Sequence, residues 1–163
     1  FQENPNFIDQ FVKVSKITIY DTITQKKQEI HEYYDEQKHG LETYFFNNGK
    51  VQSATNYRFN KKSGKETYYY ENGKKKSFHL YQRNLRQGTG ETYYSNGNIK
   101  TLSNYRNDRL EGLFKSYHNN GELEAEGNYL RNKKHGPWKY YNQQGEKLKT
   151  EKYNKGSLIK SKK

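Results

Sequence analysis

Basic side chains recur along this chain in a pattern that could hold an anion: Arg58, Lys61 and Lys62; Arg83 and Arg86; Arg106 and Arg109; Arg131, Lys133 and Lys134; then Lys155. A row of that kind attracts negative charge and raises encounter rates with acidic partners. Aromatic residues form a second set with chemical potential: Tyr68, Tyr70, Tyr94, Phe114, Trp138 and Tyr140. Aromatic and arginine side chains are the usual anchors of protein interfaces. Rings beside cations also suit single-stranded nucleic acid, through stacking and phosphate contacts. The basic row has a plainer reading as well, in which charge keeps a long open sheet soluble and discourages edge pairing.

The residue types that do catalysis form no constellation. There is no phosphate-binding loop, no dinucleotide fingerprint and no nucleophile elbow. His31-Glu32 continues as Tyr33-Tyr34-Asp35, which does not complete a His-Glu-x-x-His zinc motif. The histidines, His31, His39, His79, His118 and His135, share no metal-ligand spacing, and Glu42, Glu66 and Glu91 lie in extended segments among tyrosines. The expectation is a protein that is not an enzyme, with no catalytic residue, metal or cofactor.

Composition bounds the architecture that must carry these residues. Over 163 residues only 29% are hydrophobic, against roughly 45–50% in an ordinary globular domain. Mean hydropathy is −1.44 and net charge is +12, so a thick core is not available. Low hydrophobicity with high charge is also the mark of disorder, but 17 Tyr and 8 Phe oppose it, because disordered chains are poor in aromatics. Absence of Cys removes disulfides and thiolate metal sites. No apolar run approaches the roughly 20 residues of a membrane span. The chain opens Phe1-Gln2-Glu3-Asn4-Pro5 and holds no Met. A leader at the start favours an exported protein trimmed of a signal peptide, periplasmic, cell-surface or secreted, with a cytoplasmic chain as the alternative.

What positions the basic and aromatic sets is a repeat. Gly40, Gly64, Gly88, Gly112 and Gly136 open each unit; Gly49, Gly73, Gly97, Gly121 and Gly145 close a turn; Tyr57, Tyr81, Tyr105, Tyr129 and Tyr153 end it, each series at a spacing of 24. Each unit reads as a β-hairpin. In the 40–63 unit a strand at 41–46 is followed by Asn47-Asn48-Gly49-Lys50 and a second strand at 51–57. Asn-Gly between two aromatic or β-branched runs predicts a type I′ turn, which needs positive φ at both central residues. With a two-residue turn, Gly40 lies opposite Tyr57, and the ring would cover the residue that has no side chain. A three-residue turn would shift the register and flip the faces of one strand. Phe45, Tyr69, Tyr93, Tyr117 and Tyr141 would then line one face, and Tyr44, Phe46 and the six aromatics named above the other.

The predicted organisation is a leader and first strand entry at 1–15, a degenerate capping repeat at 16–39 with Lys16 and Gln25 in the glycine slots, and five units at 40–63, 64–87, 88–111, 112–135 and 136–159. A basic tail at 160–163 is expected to be disordered. Successive hairpins pair edge to edge, giving an all-β, elongated, single-layer twisted antiparallel sheet that rises roughly 10 Å per repeat.

This pattern resembles the MORN (membrane occupation and recognition nexus) repeat in its bacterial variant of about 24 residues. The resemblance covers 39 to 156 and is carried by the Gly opener, the aromatic pair before the turn, the Asn-Gly turn and the closing Tyr. His39-Gly40 and His135-Gly136-Pro137-Trp138-Lys139-Tyr140-Tyr141 are similar to the family's entry segment. The tryptophan slot departs from it, holding Glu42, Glu66, Gly90 and Phe114 in the other units. Choline- and glucan-binding repeats also use paired aromatics, but they need regularly placed Trp, and this chain has one. The resemblance implies a β-hairpin array used as a binding platform; some bacterial members act as antitoxin or immunity-like proteins and others are exported. The sequence therefore reads as a non-catalytic scaffold. It would bind a protein partner through an exposed aromatic face and a basic edge. The alternative is recognition of an anionic surface, phospholipid headgroups or nucleic acid, by the basic edge.

Overall fold

The computed structural model describes residues 14–162, so the leader and strand entry read over 1–13 lie outside the described residues, as does Lys163. Among the described residues there is no helix. The described residues form one open antiparallel sheet of 15 strands. They are β1 (Val14–Tyr20), β2 (Lys27–Tyr34), β3 (Gln37–Lys38), β4 (Gly40–Phe45), β5 (Val51–Arg58), β6 (Lys61–Tyr69), β7 (Lys75–Gln82), β8 (Leu85–Tyr93), β9 (Ile99–Arg106), β10 (Arg109–Leu110), β11 (Gly112–Tyr117), β12 (Leu123–Leu130), β13 (Lys133–Tyr141), β14 (Lys147–Asn154) and β15 (Ser157–Lys162). Strands pair in chain order, β3 and β10 being short preludes to β4 and β11. The only buried hydrophobic residues described are Ala125 and Trp138, and among the described residues the sheet has no second layer to cover it. The degenerate cap is present as the β1–β2 hairpin. Gln25 in the glycine slot still takes a φ of +57°, in a turn tied by Asp21 Oδ1 accepting from the Thr24 amide at 2.6 Å.

The expected register holds in all five units. Gly40 pairs with Tyr57, Gly64 with Tyr81, Gly88 with Tyr105, Gly112 with Tyr129 and Gly136 with Tyr153. The turn that was to produce it differs. At the hairpin tip Phe46 donates to the Lys50 carbonyl and Gly49 to the Phe46 carbonyl, both at 2.8 Å, closing a three-residue loop with only Gly49 at positive φ. A register shift between Tyr44 and Phe45 absorbs the added residue, so the faces do not flip. Asn-Gly serves either turn, because the left-handed glycine of a three-residue loop accepts it as well.

Paired positive φ, the mark of type I′ turns, is found in the connectors instead. Phe59 and Asn60 take +49° and +61°, Arg83 and Asn84 +51° and +71°, Asn107 and Asp108 +50° and +63°, Arg131 and Asn132 +49° and +67°. These two-residue turns put the basic connectors along one long edge of the sheet and the Asn-Gly loops along the other.

The opening glycines also have a different reason from the one expected. A side chain on Gly40 would meet Glu32, and one on Gly64 would meet Asn56; in neither case is it the paired tyrosine. Gly64 is needed for its φ of +100°, in a bulge where 63–65 face Asn56 alone, and the Asn56 amide donates to the Lys65 carbonyl at 3.0 Å. Ring-over-glycine packing does occur, but at Gly90 beneath Tyr105 and at Gly127 beneath Trp138. At the other end, 160–162 of the expected disordered tail continue β15, with Ser161 paired to Glu151.

Candidate functional site at the connector edge

Adjacent residues of a strand point to opposite faces, and this divides the basic set in two. Lys62, Arg86 and Lys134 turn over the sheet. Lys62 Nζ lies 2.5 Å from Glu66 and 5.2 Å from the Tyr81 ring, and Arg86 lies 4.4 Å from the Tyr105 ring with Asp108 at 3.1 Å. Lys134 Nζ sits 4.3 Å over Trp138 and 5.2 Å over Tyr153. Lys38 repeats the arrangement over Tyr57, with Glu42 at 2.5 Å. Four of the five closing tyrosines are therefore platforms for a cation of the preceding connector, an interaction worth about 0.5–2 kcal/mol each, Tyr129 being the exception with Leu110 in the cation's place.

This face carries a buried column of polar groups down the middle of the sheet, including His31, Glu42, Thr55, Glu66, Ser103 and Glu151. His31 bridges Glu42 at 2.9 Å and Glu29 at 2.7 Å. Burial alone would raise the Glu42 carboxyl, but Lys38, Tyr57 and His31 together hold it below the usual carboxylate range. Burial, and then the neighbouring Glu42, pushes the Tyr57 hydroxyl well above its ordinary value. Lys134 has Trp138 where the first two units have Glu42 and Glu66, and burial, with Lys149 nearby, lowers its amine. Among the described residues, no group of three or more His, Asp or Glu could hold a metal ion.

The six aromatics expected to form an exposed binding face do not form one. Trp138 is 2% exposed, the most buried large side chain described, and it packs on Phe114, Tyr129 and Tyr140 with centroid distances of 5.8, 5.1 and 6.4 Å. Tyr70 and Tyr94 use their hydroxyls to tie consecutive units, donating to the carbonyls of Tyr93 at 2.7 Å and Tyr117 at 2.8 Å. Tyr68 alone among them is substantially exposed. With a single layer and little apolar residue, the rings are spent on holding the sheet together.

The remaining cations face outward at the connector edge. Arg106, Arg109, Arg131 and Lys133, joined by Lys155, line one groove of about 820 Å³ with Asn107, Glu111 and Leu130. Arg58, Lys61 and Arg83 line a second, of about 560 Å³, with Phe59, Ser63 and Gln82. All eight cations are exposed, and among the described residues none of them is in an ion pair. The acids nearby are already engaged. Asp108 accepts from the Arg86 amide, which with the Arg86 guanidinium holds its carboxyl below the usual range, and Glu111 accepts from the Arg131 amide at 2.9 Å.

The connectors are held in step by residues that sequence reasoning passed over. Asn60, Asn84, Asp108 and Asn132 each donate a backbone N–H to the connector before, at the carbonyls of Lys38, Lys62, Arg86 and Leu110. Their side-chain oxygens accept from the amides of those same four residues at 2.7–2.9 Å. The signal was available, since Asn, Asn, Asp and Asn stand at the 24-residue period.

An array of antiparallel hairpins in which each unit packs only on its neighbours defines a repeat protein of the solenoid kind. The chain belongs to the MORN repeat variant family, whose model matches residues 38–58, 62–82, 86–107 and 110–130. Repeats of this family are generally binding or scaffold modules and not enzymes. No curated protein matches the chain. Among solved structures it is similar in part to the crystal structure of TarM, at 14% identity and a TM-score of 0.39, over 73% of this chain and 20% of that one. The chain thus spans about a fifth of that protein's length. Among the described residues no helix is long and apolar enough to cross a membrane.

Proposed function

We propose that this chain is a non-catalytic scaffold that binds an acidic protein along its connector edge. The groove lined by Arg106, Arg109, Arg131, Lys133 and Lys155 carries the proposal, because these five exposed cations outnumber its single acid, Glu111, which accepts from the Arg131 amide. Free guanidinium groups favour planar, bidentate carboxylate partners. The aromatic set contributes to this function by rigidity, not by contact.

The test uses three labelled probes in low and moderate salt: poly-L-glutamate, vesicles containing phosphatidylserine, and a single-stranded oligonucleotide. Poly-L-glutamate binding that is lost in the triple variant R106E/R131E/K133E supports the proposal. Binding to vesicles or oligonucleotide alone would move the function to an anionic surface, and no binding at low salt would overturn both readings.

A further inference from the structure

Resting on that reading, we infer that the connector edge recognises an extended acidic segment whose carboxylates recur at every third residue, in polyproline II conformation. The repeat sets the period. Each unit adds two strands to the sheet, so equivalent positions on successive connectors stand about 10 Å apart, and each connector from Arg58 to Lys155 presents at least one outward cation, though not always at the same position. Arg106 and Leu130 occupy one connector position, Arg131 and Lys155 another, and Arg109 and Lys133 a third. The larger groove therefore spans three connectors, and the smaller continues the row through Arg58, Lys61 and Arg83.

Polyproline II rises about 3.1 Å per residue with three residues per turn, so every third side chain returns to one face after about 9.3 Å. An extended β-strand does not meet the row in this way. Its residues alternate faces, and same-face neighbours stand about 6.6–6.8 Å apart. The backbone of the edge points to the same conclusion. Leu110 N and Asn132 N, and their counterparts in the other connectors, are already bonded between units. An added strand would have no ladder of N–H groups there, whereas polyproline II requires none. Recognition falls to side-chain charge, and the turns set its spacing.

The row also has an end. The first connector carries Asp35 and Glu36 in its turn, where three of the five later ones carry a cation, Arg83, Arg131 or Lys155, and the other two Phe59 and Asn107. Five connectors, from Arg58 to Lys155, correspond to a segment of about 13 residues.

The experiment compares two fluorescein-labelled peptides of about 13 residues and identical Glu-Pro-Ser composition by anisotropy at low salt. One has Glu at every third position and the other has its Glu residues alternating with Pro in one block. The spaced peptide is expected to bind about fivefold more tightly, the effect of misplacing several exposed pairs. The R106E/R131E/K133E variant should lose both peptides. Equal affinity for the two peptides would overturn the spacing inference and leave acidic-partner binding standing. Failure of both peptides and of poly-L-glutamate would overturn the two together, while binding of poly-L-glutamate alone would reject the polyproline II geometry.

Discussion

The indole of Trp138 covers the α-carbon of Gly127: a Cβ built there would lie within 2.5 Å of indole Cε2 and Cγ. The indole nitrogen donates across the same strand to the Asn128 carbonyl at 3.1 Å. Gly127→Ala should therefore displace the ring and cost about 1–3 kcal/mol, as overpacking does. Trp138→Ala should cost about 3–5 kcal/mol by emptying the site. Thermal melts followed by tryptophan emission check the first, which should show a red shift before unfolding. An unchanged melting temperature in Gly127→Ala would contradict the packing described.

Asn132 combines a left-handed backbone with a side-chain bond to the Leu110 amide, and two substitutions separate these roles. Asn132→Gly keeps the backbone freedom and loses the bond, an expected cost of about 1 kcal/mol. Asn132→Ala loses both and should cost about 2 kcal/mol. Urea titration ranks them; Ala as stable as Gly would show that φ is not under strain there.

Lys62 and Glu66 test the polar column. Glu66 is 3% exposed, so Lys62→Met leaves its carboxylate buried without the neighbouring amine, at a cost of about 3 kcal/mol. The double variant K62M/E66Q should be more stable than K62M alone. A double variant no better than the single one would show that the pair is not coupled.

Acid should weaken the last hairpin. The Lys149 amine, then the Tyr153 hydroxyl, hold the Glu151 carboxyl at about 2. A carboxyl depressed on folding contributes stability above its unfolded value near 4.3, and that contribution is lost as pH falls through the folded one. Melting temperature should thus decline between about pH 4.5 and 2, and Glu151→Gln should flatten the decline. An identical slope in the variant would assign acid sensitivity elsewhere.

Much of the fold was legible because a period repeated five times leaves little freedom; Gly40 does lie opposite Tyr57, though a three-residue loop with a register shift puts it there and not the expected two-residue turn. The turn type was not, since Asn48-Gly49 satisfies two loop geometries and only the register shift beyond it tells them apart. Trp138 read as exposed because its cover depends on Gly127, 11 residues earlier and on the neighbouring strand. The division of Lys61 from Lys62, and of Lys133 from Lys134, was within reach. Neighbours in a strand point to opposite faces, so one of each pair had to leave the edge.

Each connector pin reaches back 22 residues, to the connector before and never beyond it. A unit duplicated whole would thus find every bond it needs on either side. Gene duplication can lengthen such a chain without redesigning any contact, and each added copy extends the cationic row by one further step. The reach of the molecule is in this sense a counted quantity, open to change by recombination while the chemistry of each unit stays the same.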